Sequence, residues 1–290
     1  MIGTKGGSMQ KRGKICLMVI LALLLALPVE APAAMYVEGL LGGTTAADMG
    51  SPSFHQKDLP PPPAPPPVIT TDDNLESFLH FKTDGATTPA VVGGARLGIW
   101  FEPTGFLGYN YPSWMKYFGF YTDISYHKLN VTRTSGPVTD FTDAGAFNGN
   151  FPGTFSSKGY VVTWAFMFAG RYGFLPDAEV PFGRLQPYIG VGPAILFTGM
   201  EPKGVVYSGN TVGAYANPGG DYQVVPALAV DAGIRYMCFR NISIDLNFRY
   251  RYAQPNFNFP FTDMHGGASS LKFSPTYNLF SGMLGVAYHF

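Results

Sequence analysis

Tyr277-Asn278-Leu279-Phe280-Ser281-Gly282-Met283-Leu284-Gly285-Val286-Ala287-Tyr288-His289-Phe290 is the last stretch of the chain, and it alternates. Counting back by twos from Phe290 gives Tyr288, Val286, Leu284, Gly282 and Phe280. The other set is His289, Ala287, Gly285, Met283, Ser281 and Leu279. One face is bulky and apolar with aromatics at its end; the other is small or mixed. A period of two with unlike faces is the pattern of a strand lying between two environments.

Seven earlier segments repeat the pattern. It is weak in 34–43, where Met35, Val37 and Leu41 oppose Tyr36, Glu38 and Leu40. In 92–102, Ala95, Leu97, Ile99 and Phe101 oppose Arg96, Gly98, Trp100 and Glu102. In 117–129, Phe118, Phe120, Ile124 and Tyr126 oppose Tyr121, Asp123, Ser125 and His127. In 159–172 an aromatic stripe, Tyr160, Trp164, Phe166, Phe168 and Tyr172, opposes Thr163, Ala165, Met167 and Arg171. In 185–198, Ile189, Val191, Ile195 and Phe197 oppose Tyr188, Gly190, Gly192 and Ala194; Pro193 removes a ladder donor there, which predicts a bulge. The clearest pair is 223–236 and 241–252. Asp231 and Arg235 stand on the small face of the first, and Asp245, Asn247, Arg249 and Arg251 on the polar face of the second. Only Met237 to Arg240 separates the two, so they predict a tight hairpin.

The rest is turn chemistry. Residues 131–158, 199–221 and 253–276 are rich in Gly, Asn, Ser, Thr and Pro, and read as long loops. Residues 44–90 form another, with the proline run Pro60 to Pro67; such a run favours an extended, exposed spacer. At the start, Lys11, Arg12 and Lys14, the apolar run from Ile15 to Leu27, and Ala31-Pro32-Ala33 predict a signal peptide over 1–33. Its removal leaves 15 basic and 18 acidic side chains, a net charge of −3. Only Cys238 then remains, so no internal disulfide is expected.

Charged residues make up 13% of the chain and aromatics 15%, a balance that fits a surface not facing water alone and excludes a basic nucleic-acid footprint. No later segment is an apolar helix of membrane length. The strands number eight and run ten to fourteen residues, enough to cross a bilayer when tilted. Long connections follow the first, third, fifth and seventh, and shorter ones the others. The expected fold is therefore all-β: an eight-stranded antiparallel up-and-down transmembrane β-barrel over 34–290 with long extracellular loops.

The leader ending Ala31-Pro32-Ala33, the strand Leu185-Gln186-Pro187-Tyr188-Ile189-Gly190-Val191-Gly192, the alternation from Asp245 to Arg251 and the ending Tyr288-His289-Phe290 together resemble the small outer-membrane barrels of the outer membrane protein A/X-like superfamily. The resemblance implies a bacterial outer-membrane location, contact with outer-membrane lipid, and recognition by the barrel assembly machinery through Phe290 and Tyr288. It implies no single activity, since members include adhesins, structural anchors and small-molecule channels. The chain stops at its last strand, so a C-terminal peptidoglycan-binding domain is not expected. The expected role is non-enzymatic: structural, adhesive or surface interaction, with partners met through the external loops. The alternative is a narrow channel for small or apolar solutes, and a lipid-modifying enzyme ranks last.

Asp123, Ser125 and His127 share a face, but the alternation points them inward, so polar filling rather than hydrolysis is expected. His55, His80, His265 and His289 are scattered without metal-ligand spacing, and no phosphate loop, dinucleotide motif or cysteine pair appears. No catalytic, metal or cofactor site is expected. Tyr160, Tyr172, Tyr250, Tyr252, Tyr288 and Phe290 fall at strand ends, where girdles form. The inward set carries Glu38, Glu102, Asp123, Asp231 and Asp245 with Arg96, Arg171, Arg235, Arg249 and Arg251. An eight-stranded lumen has room only for side chains, so these charges are expected to pair, with Arg235 near Asp245 and Asp231 near Arg249.

Overall fold

The computed structural model describes residues 35–46, 53–56, 77–81, 87–102, 111–141, 147–208, 211–216, 219–262 and 268–290. The expected leader and the proline run lie outside the described residues. Eight antiparallel strands close a barrel: β1 (Met35–Ala46), β2 (Ala90–Trp100), β3 (Phe118–Lys128), β4 (Phe147–Arg171), β5 (Leu185–Ser208), β6 (Asp221–Met237), β7 (Ile242–Ala253) and β8 (Tyr277–His289). Each pairs with the next, and β8 returns to β1 with Glu38 opposite Ala287.

Alternation sets the wall. Arg96, Asp123, Asp231 and Asp245 are buried, while Ile124, Ile189, Leu246, Phe248, Leu284 and Val286 on the opposite faces are exposed. The inward set includes glycines beside several of the large inward rings. Tyr36 lies opposite Gly98, and a Cβ there would meet its ring at 2.4 Å.

Two expectations need correction. Pro193 makes no bulge: Ala165 pairs with Ala194 and Phe168 with Val191 in one unbroken register, with only the rungs between them missing. The stretches expected as loops also carry ladder. Asn130–Phe141 forms a hairpin with the start of β4, which runs 25 residues; β5 runs 24 and folds back as Thr211–Ala216. Phe257–Thr262 and Ala268–Phe273 form a further hairpin, joined through Ser53–Gln56 and Ser77–Phe81 to Asn130–Phe141. The physical reason is that Phe155, Phe257, Phe259 and Phe273 turn inward at alternate positions, while Asn258, Pro260, Lys272 and Ser274 beside the last three are exposed. Turn-forming composition masked a period of two.

The connections at the other end are short. Residues 101–117 include a 3-10 turn, Ser113–Tyr117. Residues 172–184 and 238–241 make the other two turns. Arg184 ties these two together: its guanidinium donates to Met237 O at 3.1 Å and Cys238 O at 3.0 Å, and pairs with Asp177 and with Glu179 at 2.7 Å. The N–H of Val180 and the Arg184 side chain hold the Asp177 carboxyl below its usual range.

Candidate functional site

The lumen is filled at two levels. In the half towards the short turns, Glu38 on β1, Arg96 on β2 and Asp123 on β3 occupy one rung, since Glu38 pairs with Arg96 and Arg96 with Asp123 in the ladders. Across the lumen, Asp231 lies opposite Arg249, and Arg235 opposite Asp245, in the β6–β7 hairpin. The two groups meet. Arg96 reaches Glu38 at 3.2 Å, Asp231 at 3.0 Å and Asp123 at 3.7 Å. Arg235 bridges Glu38 at 3.0 Å and Asp245 at 3.2 Å. Arg249 holds Asp123 at 2.9 Å and lies 3.8 Å from Asp231, and Arg251 holds Asp231 at 2.5 Å. Four arginines thus meet four carboxylates, and no side chain among them is more than 5% exposed. Guanidinium forks suit this, because each reaches two carboxylates at once.

Neutral side chains join the network, and the reading of charges alone missed them. The Tyr188 hydroxyl donates to Asp245 at 2.7 Å and accepts from Arg96 at 3.1 Å and Asn247 at 2.7 Å. The Tyr121 hydroxyl donates to Asp231 at 2.9 Å. Arg249 donates to Asn247 at 2.6 Å. The signal was present in the sequence: Tyr121, Tyr188 and Asn247 all belong to inward sets. Beneath, Arg235 lies 4.1 Å over the Tyr36 ring, and Tyr36 stacks on Trp100 and His289.

Glu102 and Arg171 stay outside the network, which corrects the ten-residue expectation. Both sit near the strand ends at the short turns. Arg171 donates to Gln186 at 3.1 Å and to Lys116 O at 3.3 Å, and stacks between Trp100 and Phe182 at 4.3 and 4.1 Å. Glu102 has no ion pair within 4 Å among the described residues; burial raises its carboxyl above the usual range, and Arg171 partly offsets this.

In the upper half, towards the long strands, the lumen turns apolar. Leu129, Val131, Phe155, Val161, Leu196, Met200, Phe257, Phe259, Phe273, Tyr277 and Leu279 form one buried cluster. Ser125 and His127 lie inward between the two levels, buried, with no hydrogen bond between them among the described residues. Nor do any three His, Cys, Asp or Glu side chains among the described residues converge as metal ligands.

The outer wall is the reverse. Phe120, Ile124, Trp164, Phe168, Ile189, Val191, Leu228, Ile234, Ile244, Leu246, Phe248, Leu284 and Val286 are all exposed around the barrel. A soluble monomer rarely shows a contiguous apolar patch beyond a few hundred Å². A wall of carbon outside and ion pairs inside is a protein solvated by lipid. The chain is a transmembrane β-barrel of the outer-membrane type. Tyr160, Tyr172, Tyr288 and Phe290 are exposed near its rims and Tyr250 and Tyr252 half-buried. Phe290 closes the wall by donating its N–H to Met35 O at 3.1 Å.

No protein-family model matches the chain, and no curated protein sequence does. Among solved structures the chain is similar to Neisserial surface protein A (NspA), at 11% identity over 88% of this chain and 97% of that one, TM-score 0.33. It is also similar to the outer membrane protein OprG from Pseudomonas aeruginosa, at 12% identity over 89% and 97%, TM-score 0.38. A third is Ail, the attachment invasion locus protein of Yersinia pestis, solved with the heparin analogue sucrose octasulfate, at 13% identity over 89% and 99%, TM-score 0.27.

Proposed function

We propose that this barrel is a non-enzymatic, non-conducting platform in the bacterial outer membrane that presents its long-strand end to the outside for contact with surface partners. The observation that carries the reading is a lumen filled by the ion-paired cluster around Arg96 and Asp231 beneath the apolar cluster around Phe155 and Phe259. A filled lumen leaves the projecting end as the part available for work. That end is built rather than loose: β4 and β5 continue past the wall as a ladder, Gly153 opposite Val206 through Gly159 opposite Met200. Among the described residues its sheet ends in two strands paired on one side only, Thr211–Ala216 and Phe257–Thr262. Such edges offer backbone donors and acceptors to an added strand. The chain reaches the membrane through the assembly machinery, which reads the outward Tyr288 and Phe290.

The test displays the intact barrel on cells beside a variant in which the hairpin from 132 to 156 is replaced by a two-residue turn. Both are applied to arrays of matrix proteins and glycans. Binding by the intact barrel and its loss in the trimmed one are expected, with both still shifting on heating in a gel. Equal array signals from the two, or from cells lacking the barrel, contradict it.

A further inference from the structure

One patch of the outer wall differs from the rest of the belt. Tyr126 on β3 and Tyr160 on β4 stack with ring centroids 6.5 Å apart. The Tyr160 ring lies on Gly199 of β5, where an added Cβ would meet it at 2.5 Å. Tyr222 of β6 pairs with Gly199 across the ladder and is 73% exposed, so tyrosines of β3, β4 and β6 lie side by side with Gly199 of β5 among them. Two residues farther from the belt on β3 and β4 stand Lys128 and Lys158, both exposed. These groups line a groove of about 510 Å³ together with Asn130, Glu201 and Asp221.

The charges in the groove are not balanced by contact. Asp221 is engaged by its neighbours: its carboxylate accepts from Tyr222 N at 2.8 Å, Gln223 Nε2 at 3.0 Å and Asn258 N at 3.3 Å. Glu201 faces Lys158 across the ladder without an ion pair. Among the described residues neither lysine has a carboxylate within 4 Å. Asn130 uses its oxygen to accept Gly159 N at 3.4 Å, and its NH2 makes no hydrogen bond among the described residues. Two ammonium groups and an amide donor therefore open on the same groove. The upper outward positions of β7, β8, β1 and β2, which are Tyr252, Asn278, Thr45 and Val91, carry no basic side chain.

Height decides the ligand. Tyrosine rings settle at the headgroup level of a bilayer. Two residues along a strand span about 6–7 Å. Lys158 stands that step above Tyr160 on β4, and Lys128 stands it above Tyr126 on β3, on the rung of Tyr160 itself, so both ammonium groups lie beside the charged part of a headgroup. We propose that this groove binds a lipid whose phosphate headgroup carries net negative charge, in the leaflet at the long-strand end. Lys128 and Lys158 hold the phosphate, Asn130 donates to the headgroup, and Tyr126, Tyr160 and Tyr222 flank the part of the lipid below it. The row of rings favours a lipid over free phosphate, because an ion has no apolar body to lay against them.

The test places the purified barrel in nanodiscs of phosphatidylcholine containing a minor fraction of phosphatidic acid, and counts the lipids it retains by native mass spectrometry. The wild type is expected to retain phosphatidic acid in preference to phosphatidylcholine. A lysine near an anionic surface contributes about 1 kcal/mol, or about fivefold. Lys128→Gln and Lys158→Gln should each lower that retention about fivefold, and together about 25-fold. Lys116→Gln, at the other end of the barrel, should leave it unchanged. A heat-dependent gel shift checks that each variant is folded. Equal retention of both lipids, or undiminished retention in the single variants, overturns the proposal. Displacement of the bound lipid by inorganic phosphate at millimolar concentration would show an anion site and overturn the lipid assignment.

Discussion

Towards the short turns, the lumen is packed with arginine and carboxylate; towards the long strands, it is packed with phenylalanine, leucine and methionine. The ladders differ in the same direction. Every strand pair around the charged half keeps one register: Glu38 faces Arg96, Arg96 faces Asp123, and Asp231 faces Arg249 without a shift. Around the apolar end, registers slip between Val131 and Thr134, between Asp140 and Phe141, and between Val212 and Ala214. Ion pairs are directional. A one-residue slip would turn each charge into lipid, and a two-residue slip would strip it of its partner. Carbon packs with carbon at many offsets, so the upper ladder tolerates bulges. The charged cluster fixes closure and register, and the apolar cluster fills space.

Breaking the charged half should have the largest effect. Asp231→Ala leaves Arg251, Arg96 and Arg249 short of a buried partner and the Tyr121 hydroxyl without its acceptor. Removing one member of a buried ionic cluster costs about 3–5 kcal/mol. Urea unfolding in lipid vesicles should show that loss, and nearly the same loss in low and high salt, because buried pairs are screened little. A loss below about 1 kcal/mol would mean that water already solvates these charges. In the apolar half, Phe155→Ala should cost about 3 kcal/mol, the lower end for a buried aromatic, since neighbouring side chains can close on the gap. Its gel shift should survive at temperatures where that of Asp231→Ala is gone. The reverse order would place the register-setting contacts in the wrong half.

The period of two was readable in all eight strands, and with it which face of each turns inward. The charged residues were readable as a set because Arg235, Asp245, Asp231 and Arg249 lie on strands joined by a four-residue turn, where only a few registers are available. Glu102 and Arg171 were not separable from the rest. Alternation gives the side of the wall a residue is on but not its height, and both fall near the rim. The upper cluster was hidden for another reason. Phe257 and Phe259 are flanked by Asn258 and Pro260, and Phe155 by Thr154 and Ser156, so local composition reads as loop. Their burial depends on packing between segments far apart in the chain, such as Phe155 of β4 against Phe273.

Gly98→Ala would press a methyl group into the Tyr36 ring, which is held between Trp100, His289 and Arg235. Overpacking of this kind costs about 1–3 kcal/mol, and Gly43→Ala, with open space around it, should cost far less in the same vesicles. Outside the wall, the turn at Asp177 should titrate. Its carboxyl is held low by the N–H of Val180 and then by Arg184. The stabilisation it gives is present above the ordinary carboxylate range and is lost as pH falls through the depressed value. The Val180 amide resonance should shift only below the usual aspartate range, and Asp177→Asn should abolish the shift. A midpoint at or above that range contradicts the hydrogen-bonded turn.

Single-channel recording of the purified barrel in a planar bilayer tests most directly whether the arginine–carboxylate cluster seals the lumen. No steady conductance is expected from the unaltered barrel at any polarity. A steady, large conductance from correctly folded, unaltered barrel would mean a continuous water path past Arg96 and Asp231, and would contradict it.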